Sequence, residues 1–128
     1  MKPGKTKILV VDDAGPVVIL CVNILQSLGY AVRGANRGET ALEHLRNEPF
    51  DLTIVDYRMP GMDGFQVFEQ GRVLRPGMAF MLITAHGTPD VTQRAVEMGF
   101  GAILLKPFTS DELRVAVETA LAGKDEGA

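Results

Sequence analysis

The sequence predicts an α/β fold in which a doubly wound, five-stranded parallel sheet has helices on both faces. Five short apolar runs alternate with five longer stretches of helical periodicity, which is the pattern of repeated strand and helix units. Most of the apolar runs are continuous, as expected for strands covered on both faces. An open sheet of this kind commonly has the strand order 2-1-3-4-5, and its ligand site lies beyond the carboxyl ends of strands 1 and 3.

The five apolar runs are interpreted as strands because they are short and rich in aliphatic residues. The predicted strands are residues 7–11, 30–35, 52–55, 79–84 and 102–105. Each is followed by polar or glycine-containing sequence, which indicates where the strand ends.

The first helix is predicted over residues 16–28. Pro16 suits the first helical turn, Gly15 is a tolerable capping residue and Gly29 ends the helix. The helical spacing puts four residues on one inward face, namely Val17, Cys21, Ile24 and Leu28.

Four further helices fill the remaining gaps between strands. They are predicted over residues 38–46, 64–74, 89–98 and 110–121. Thr88-Pro89-Asp90 and Thr109-Ser110-Asp111-Glu112 are typical of helix starts, and Gly99 is typical of a helix end. Beyond residue 121 the sequence predicts only a polar tail.

Length and composition predict one globular domain over residues 1–128, with a core from about residue 6 to about residue 122 and short polar tails. The formal charge of -3 lacks the basic excess of nucleic-acid-binding proteins, so we expect no direct contact with DNA or RNA. No apolar run approaches a membrane-spanning length or a signal-peptide core. The only cysteine, Cys21, lies in an apolar run and fits a reducing cytoplasm.

Polar residues distant in sequence are predicted to meet at one edge of the sheet. Asp12 and Asp13 follow strand 1, Asp56 follows strand 3, Thr84 ends strand 4 and Lys106 follows strand 5. Taken singly, each fits an ordinary role as a helix cap, a turn residue or a loop cation. Their joint placement at the edge where such sheets bind ligands favours a functional site.

The chemistry of this group indicates a metal and a phosphoryl group. Three neighbouring carboxylates raise one another's pKa unless a cation lies among them, and Mg²⁺ prefers such oxygen ligands together with phosphate. A carboxylate can also act as a nucleophile and form an acyl phosphate. The ammonium of Lys106 and the hydroxyl of Thr84 could then contact phosphate oxygens.

Four motifs contain the residues of this predicted edge. They are Val10-Val11-Asp12-Asp13, Val55-Asp56-Tyr57-Arg58-Met59-Pro60-Gly61-Met62-Asp63-Gly64, Thr84-Ala85 and Lys106-Pro107-Phe108. Together they resemble the signature of response-regulator receiver domains, the CheY-like domains of bacterial two-component systems. The resemblance covers essentially the whole chain and implies a flavodoxin-like (βα)5 fold.

The resemblance implies that Asp56 accepts a phosphoryl group from a histidine kinase. It also implies that Asp12, Asp13 and Asp56 bind Mg²⁺ together with the backbone carbonyl of Arg58. By the same resemblance Lys106 contacts the phosphoryl group.

Other positions are implied to control signalling and the lifetime of the phosphoryl group. Thr84 is the signalling hydroxyl, and the Lys106-Pro107 peptide bond is expected to be cis. Small Ala85 keeps the phosphoryl entrance open, and Arg58 and His86 flank it.

Two features depart from the pattern. Ile103 stands where many receivers carry a switching Tyr or Phe, so we expect switching through Thr84 without an aromatic swing. Ala14-Gly15-Pro16 provides no polar side chain just after the acid pair.

The implied partners are a sensor histidine kinase or phosphotransfer protein, and a downstream effector protein or fused output domain. The output surface would comprise helix 4, strand 5 and helix 5, and phosphorylation could produce a homodimer. The domain would be a signalling domain and not an enzyme, although it would assist its own phosphorylation and dephosphorylation.

Two alternatives remain open from the sequence. One is a receiver-like protein-binding module that works independently of phosphorylation, against which the complete set of site residues argues. The other is a cofactor binder or enzyme on the same fold. A flavodoxin would need a hydroxyl- and glycine-rich loop where residues 12–16 stand, and a haloacid-type phosphatase would need an acid in place of Arg58.

Overall fold

The structure, a computed structural model, describes residues 4–126 and contains one five-stranded parallel sheet with five helices. The strands are β1 (Lys7–Val11), β2 (Ala31–Ala35), β3 (Leu52–Asp56), β4 (Ala79–Thr84) and β5 (Ala102–Leu105). The helices are α1 (Gly15–Ser27), α2 (Gly38–Asn47), α3 (Gly64–Leu74), α4 (Pro89–Met98) and α5 (Ser110–Glu126). The strand order is β2-β1-β3-β4-β5, which confirms the predicted flavodoxin-like topology.

Alternate strand residues pack on opposite faces of the sheet, as parallel strands covered by two helical layers require. On one face, Ile8 and Val10 of β1 pack with residues of α1 and α5. On the other face, Leu9 and Val11 pack with residues of α2, α3 and α4. The two clusters explain why the strands read as continuous apolar runs in the sequence.

Side-chain caps fix the starts of three helices near the functional edge. Asp63 accepts a hydrogen bond from the backbone of Gln66, whose side chain accepts one from the backbone N–H of Asp63. Thr109 and Glu112 make the same reciprocal pair at the start of α5. The Thr88 hydroxyl accepts from the backbone of Val91. These caps satisfy N–H groups that a helix start otherwise leaves unpaired.

Helix α1 differs from its prediction at the inward face. Leu28 is 43% exposed because it is the residue after the last helical turn, whereas Leu25 is buried beside Cys21. Gly15 is the first helical residue, and Ala14 occupies the capping position. Gly29 follows with a φ of 97°, a left-handed conformation that glycine adopts readily.

Four further boundaries differ from the sequence prediction. Strand β2 begins at Ala31 and not at residue 30, and helix α2 ends at Asn47 and not at residue 46. Strand β3 includes Asp56, which places this carboxylate at the last position of the strand. Helix α5 runs to Glu126 and not to residue 121. The apolar pattern of the sequence ends at Leu121 and is followed by Ala-Gly-Lys-Asp-Glu, so periodicity did not predict the last part of this helix. Across residues 4–126, no helix is long and apolar enough to cross a membrane.

Candidate functional site

Strand register brings Asp12 and Asp56 together. Val11 of β1 pairs with Val55 of the adjacent strand β3. The next residues, Asp12 and Asp56, therefore lie side by side at the carboxyl ends of these two strands. Lys106, directly after β5, reaches across this edge. Its Nζ lies 2.7 Å from Oδ2 of Asp12 and 3.4 Å from Oδ2 of Asp56. One ammonium therefore contacts two carboxylates at the carboxyl ends of the central strands.

Asp12 is held tightly in the interior. Its side chain is fully buried, and Oδ1 accepts a hydrogen bond of 2.9 Å from the backbone N–H of Ala14. Its other oxygen faces the ammonium of Lys106. Burying a charge is costly unless it is paired, and Lys106 provides that pairing.

The three carboxylates of Asp12, Asp13 and Asp56 could hold a metal ion. Each offers one oxygen, and these oxygens all lie within 4.8 Å of one another. Asp13 is exposed while the other two are buried, so the group opens to solvent on one side. Lys106 pairs with two of these three carboxylates, Asp12 and Asp56, so negative charge remains that a divalent cation with a preference for oxygen would offset. The donor set therefore fits a hard cation.

Electrostatics at this edge affect both Asp56 and Lys106. Burial raises the pKa of the Asp56 carboxyl above its usual range, and the nearby Asp12 charge raises it further, while Lys106 opposes both effects. Burial alone would lower the pKa of Lys106, but its contacts with Asp12 and Asp56 raise that pKa overall. Lys106 therefore remains a cation. The charged form of the Asp56 carboxyl, by contrast, is less favoured here than it would be in water.

Thr84 is fully buried at the end of β4. Its hydroxyl accepts a hydrogen bond of 2.8 Å from the backbone N–H of His86, and its carbonyl accepts one of 2.9 Å from the N–H of Lys106. Asp56 of β3 pairs with Ile83 of β4, so Thr84 lies one residue beyond the position opposite Asp56. The hydroxyl thus belongs to the same edge and ties the loop after β4 to the strand.

The remaining predicted residues surround this edge. Ala85 and His86 are exposed in the loop after β4. Arg58 is exposed, and its guanidinium lies 5.9 Å from the centre of the Tyr57 ring. The peptide bond between Lys106 and Pro107 is cis. Ile103 is partly buried against the cluster that joins α2, α3 and α4.

An apolar surface beside the site was not predicted from the sequence. A cavity of about 390 Å³ lies beside Lys106 and is lined by Val17, Leu20, Ala85, Lys106, Pro107 and Phe108. On α1, Ile19 and Leu20 are 62% and 48% exposed. The sequence feature that could have predicted this surface is the absence of charged side chains from residues 15–27, because the solvent-facing side of the helix must then include apolar residues.

A larger groove of about 700 Å³ opens at the opposite edge of the sheet, near the starts of β4 and β5. Among the described residues no carboxylate lines it, and the one charged lining residue, Arg75, donates a hydrogen bond to the carbonyl of Leu45. The larger groove is therefore not the candidate functional site. That site is the group of carboxylates and Lys106 at the carboxyl ends of the strands.

Comparison with known proteins agrees with this geometry. A family model described as the response regulator receiver domain matches residues 8–118. Sporulation initiation phosphotransferase F of Bacillus subtilis (strain 168) is 35% identical over 115 residues, which cover 90% of this chain and 93% of that protein. Transcriptional regulatory protein ZraR of Escherichia coli (strain K12) is 36% identical over 115 residues, but the match spans only 26% of its length.

The fold comparison gives the same result. A response regulator receiver domain protein (CheY-like) from Methanospirillum hungatei JF-1 superimposes with a TM-score of 0.90 at 26% sequence identity. The match covers 98% of this chain and 100% of the other. The strand order and helix placement of this chain thus occur in a known family.

Proposed function

The chain belongs to the family of response regulator receiver domains, which accept phosphate in two-component signalling, and we propose that Asp56 is the acceptor. The observation that supports this assignment is the position of Asp56 at the end of the central strand, facing the ammonium of Lys106. Asp12 is fully buried with both oxygens engaged, and Asp13 is an exposed loop residue. Unlike Asp12, whose Oδ1 accepts a backbone hydrogen bond, and unlike exposed Asp13, Asp56 combines a fixed strand position with contact to an ammonium that can also meet a phosphate oxygen.

Transfer to Asp56 follows from these positions. One carboxylate oxygen of Asp56 bonds to phosphorus as the bond between phosphorus and a donor histidine nitrogen breaks. The departing imidazole keeps the electron pair and takes up a proton. Lys106 lies where it can pair with a phosphoryl oxygen, and the Thr84 hydroxyl, which accepts from the N–H of His86, can donate its own hydrogen to another.

We assign the resident metal as Mg²⁺, held by Asp12, Asp13, Asp56 and the backbone carbonyl of Arg58. When bound, it would supply charge neutralisation for the carboxylates and for the transferred phosphoryl oxygens. The exposed position of Asp13 gives a cation access from solvent. The buried position of Asp12 keeps one carboxylate fixed behind the site.

The same edge would govern loss of the phosphoryl group. Hydrolysis requires water to reach phosphorus opposite Asp56, and exposed Arg58, Ala85 and His86 are proposed to control that approach. Ala85 leaves the entrance open because its side chain is small. The domain would thus assist its own phosphorylation and dephosphorylation while remaining a signalling domain.

The phosphoryl donor is proposed to be a sensor histidine kinase or a phosphotransfer protein that docks on α1 and the loop after β5. A donor histidine must approach Asp56 from the open edge, and the apolar surface there includes exposed Leu20 and Pro107 and partly buried Phe108. Such a surface fits a partner that presents apolar side chains around its histidine.

The output is proposed to pass through the surface of α4, β5 and α5 to an effector protein or a fused output domain. Phosphorylation could also pair two copies of this surface in a homodimer. We further propose that residues 1–128 form a single receiver domain in the cytoplasm that makes no direct contact with nucleic acid. The formal charge of -3 supports the last point.

Acetyl phosphate labelling tests this function against a phosphorylation-independent binding module. We expect a gain of one phosphoryl group that requires Mg²⁺ and is abolished by chelation. An unchanged mass in the presence of Mg²⁺ and excess acetyl phosphate would favour the binding module instead.

A further inference from the structure

The end of β5 carries a leucine that contacts the loop after β4. Thr84 pairs with Leu105 in the parallel ladder, and the N–H of Lys106 donates to the carbonyl of Thr84. Leu105 is 51% exposed although it is a large apolar residue in a strand. This position sets it beside the residue proposed to respond to phosphorylation.

Side-chain alternation places Leu105 and Thr84 on the same face of the sheet. Leu82 and Ile103 both pack in the cluster with α2, α3 and α4, and side chains two positions further along a strand return to that face. Thr84 and Leu105 are those positions. Ile103 pairs with Leu82 and therefore lies two positions further from the loop than Leu105 does.

Gly87 is the point of contact in the loop. A methyl group added to Gly87 would overlap Cδ2 of Leu105 and lie 3.3 Å from its Cγ. The leucine side chain therefore lies directly over the Gly87 backbone. The backbone of Gly87 has no positive φ, so this position uses glycine for space and not for conformation.

We propose that Leu105, rather than Ile103, senses the position of the loop after β4 and transmits it to the surface of β5 and α4. The inference rests on the proposed function, because a phosphoryl group on Asp56 provides the force that draws Thr84 inward. Moving Thr84 moves Gly87, which is three residues along the chain, and removes the support under Leu105. Helix α4 can follow because Ala95 is its only fully buried residue.

Methyl and amide NMR with beryllofluoride, a phosphoryl mimic, tests this inference. In the wild type with Mg²⁺ we expect the Leu105 methyl signals to move more than the Ile103 methyl signals, together with amides of α4. In Leu105→Ala the amide of Lys106 should still respond, while the α4 response falls to less than about half. Ile103→Val is the matched control and should retain the α4 response.

A compensating pair of variants tests the contact in the absence of the mimic. Gly87→Ala should displace the Leu105 methyl signals, because a half-exposed side chain can turn away from the added methyl group. Adding Leu105→Ala should remove that strain and restore the loop amides toward their wild-type positions.

The outcomes distinguish a failure of the proposed role of Leu105 from a failure of the proposed phosphoacceptor function. A full α4 response in Leu105→Ala, or Leu105 methyl signals that ignore both beryllofluoride and Gly87→Ala, would overturn the role of Leu105 and leave the phosphoacceptor function intact. No response at Asp56 or Lys106 in the wild type would overturn the proposed function itself, and the role of Leu105 with it.

Discussion

Lys106 lies closer to Asp12, at 2.7 Å, than to Asp56, at 3.4 Å. The ammonium thus neutralises a buried carboxylate that is not the proposed acceptor, and this contact holds it beside the acceptor before any phosphoryl group arrives. Two functions depend on one side chain: the stability of the buried Asp12 charge and the reception of phosphate at Asp56.

The first prediction concerns stability without metal. Lys106→Ala leaves the Asp12 carboxylate buried without its counter-ion, so we expect the free energy of unfolding to fall by about 3 kcal/mol. Urea denaturation measures this, and Lys5→Ala is the control because Lys5 is exposed. Mg²⁺ should recover part of the loss by supplying positive charge. Equal stability of the two variants in chelator would contradict the prediction.

The second prediction concerns pH. Because burial and Asp12 raise the pKa of Asp56, the native state holds this proton more tightly than the unfolded chain does. The ionised carboxyl therefore costs stability as pH rises from the ordinary carboxyl range through the raised pKa. Asp56→Asn should raise the melting temperature of metal-free protein by a few degrees at about pH 7, and by less at about pH 4.

Thermal unfolding in the presence of chelator at both pH values tests whether Asp56→Asn raises the melting temperature. Glu69→Gln is the control, since Glu69 is an exposed acid on α3. If Asp56→Asn lowers the melting temperature at neutral pH, the carboxylate is stabilising and the electrostatic argument is wrong.

The third prediction concerns metal binding. Asp13→Asn removes one carboxylate charge from the proposed Mg²⁺ ligands while leaving the exposed side chain similar in shape, so affinity should fall at least about tenfold with little change in stability. Isothermal titration calorimetry measures the affinity. Glu43→Gln, an exposed acid on α2, should bind Mg²⁺ as the wild type does. Unchanged affinity in Asp13→Asn would remove Asp13 from the ligand set.

The fourth prediction concerns the phosphodonor surface. Leu20→Asp places a charge in the exposed apolar surface beside the site, so it should slow phosphotransfer from a histidine kinase that phosphorylates the wild type by about tenfold or more. Labelling by acetyl phosphate should be unaffected, because that donor needs no protein surface. Val73→Asp, at a 76% exposed position on α3, is the control. Equal slowing by both variants would contradict a specific surface on α1.

Much of the fold followed from the sequence because its physical cause is local. Continuous apolar runs require strands buried on both faces, and parallel strands bring their carboxyl ends to one edge. The sequence alone therefore predicts that Asp12, Asp56 and Lys106 lie close together. The observed strand order and acidic edge agree with that reasoning.

Other features depend on packing that periodicity does not encode. Helix α1 is apolar on nearly every side, so its sequence could not decide between Leu25 and Leu28 as the buried residue. The preference of Lys106 for Asp12 depends on how far a flexible side chain reaches. The contact of Leu105 with Gly87 joins two segments whose spacing exists only in the folded sheet.

Locating the phosphoryl group tests the central claim most directly. After treatment with acetyl phosphate and Mg²⁺, intact mass and peptide mapping should place a single phosphoryl group on Asp56 in the wild type. Asp90→Ala, which removes an exposed acid on α4, should be labelled equally, whereas Asp56→Ala should gain no mass. Full labelling of Asp56→Ala, or a wild-type label mapped to another residue, would contradict the assignment of Asp56 as the acceptor.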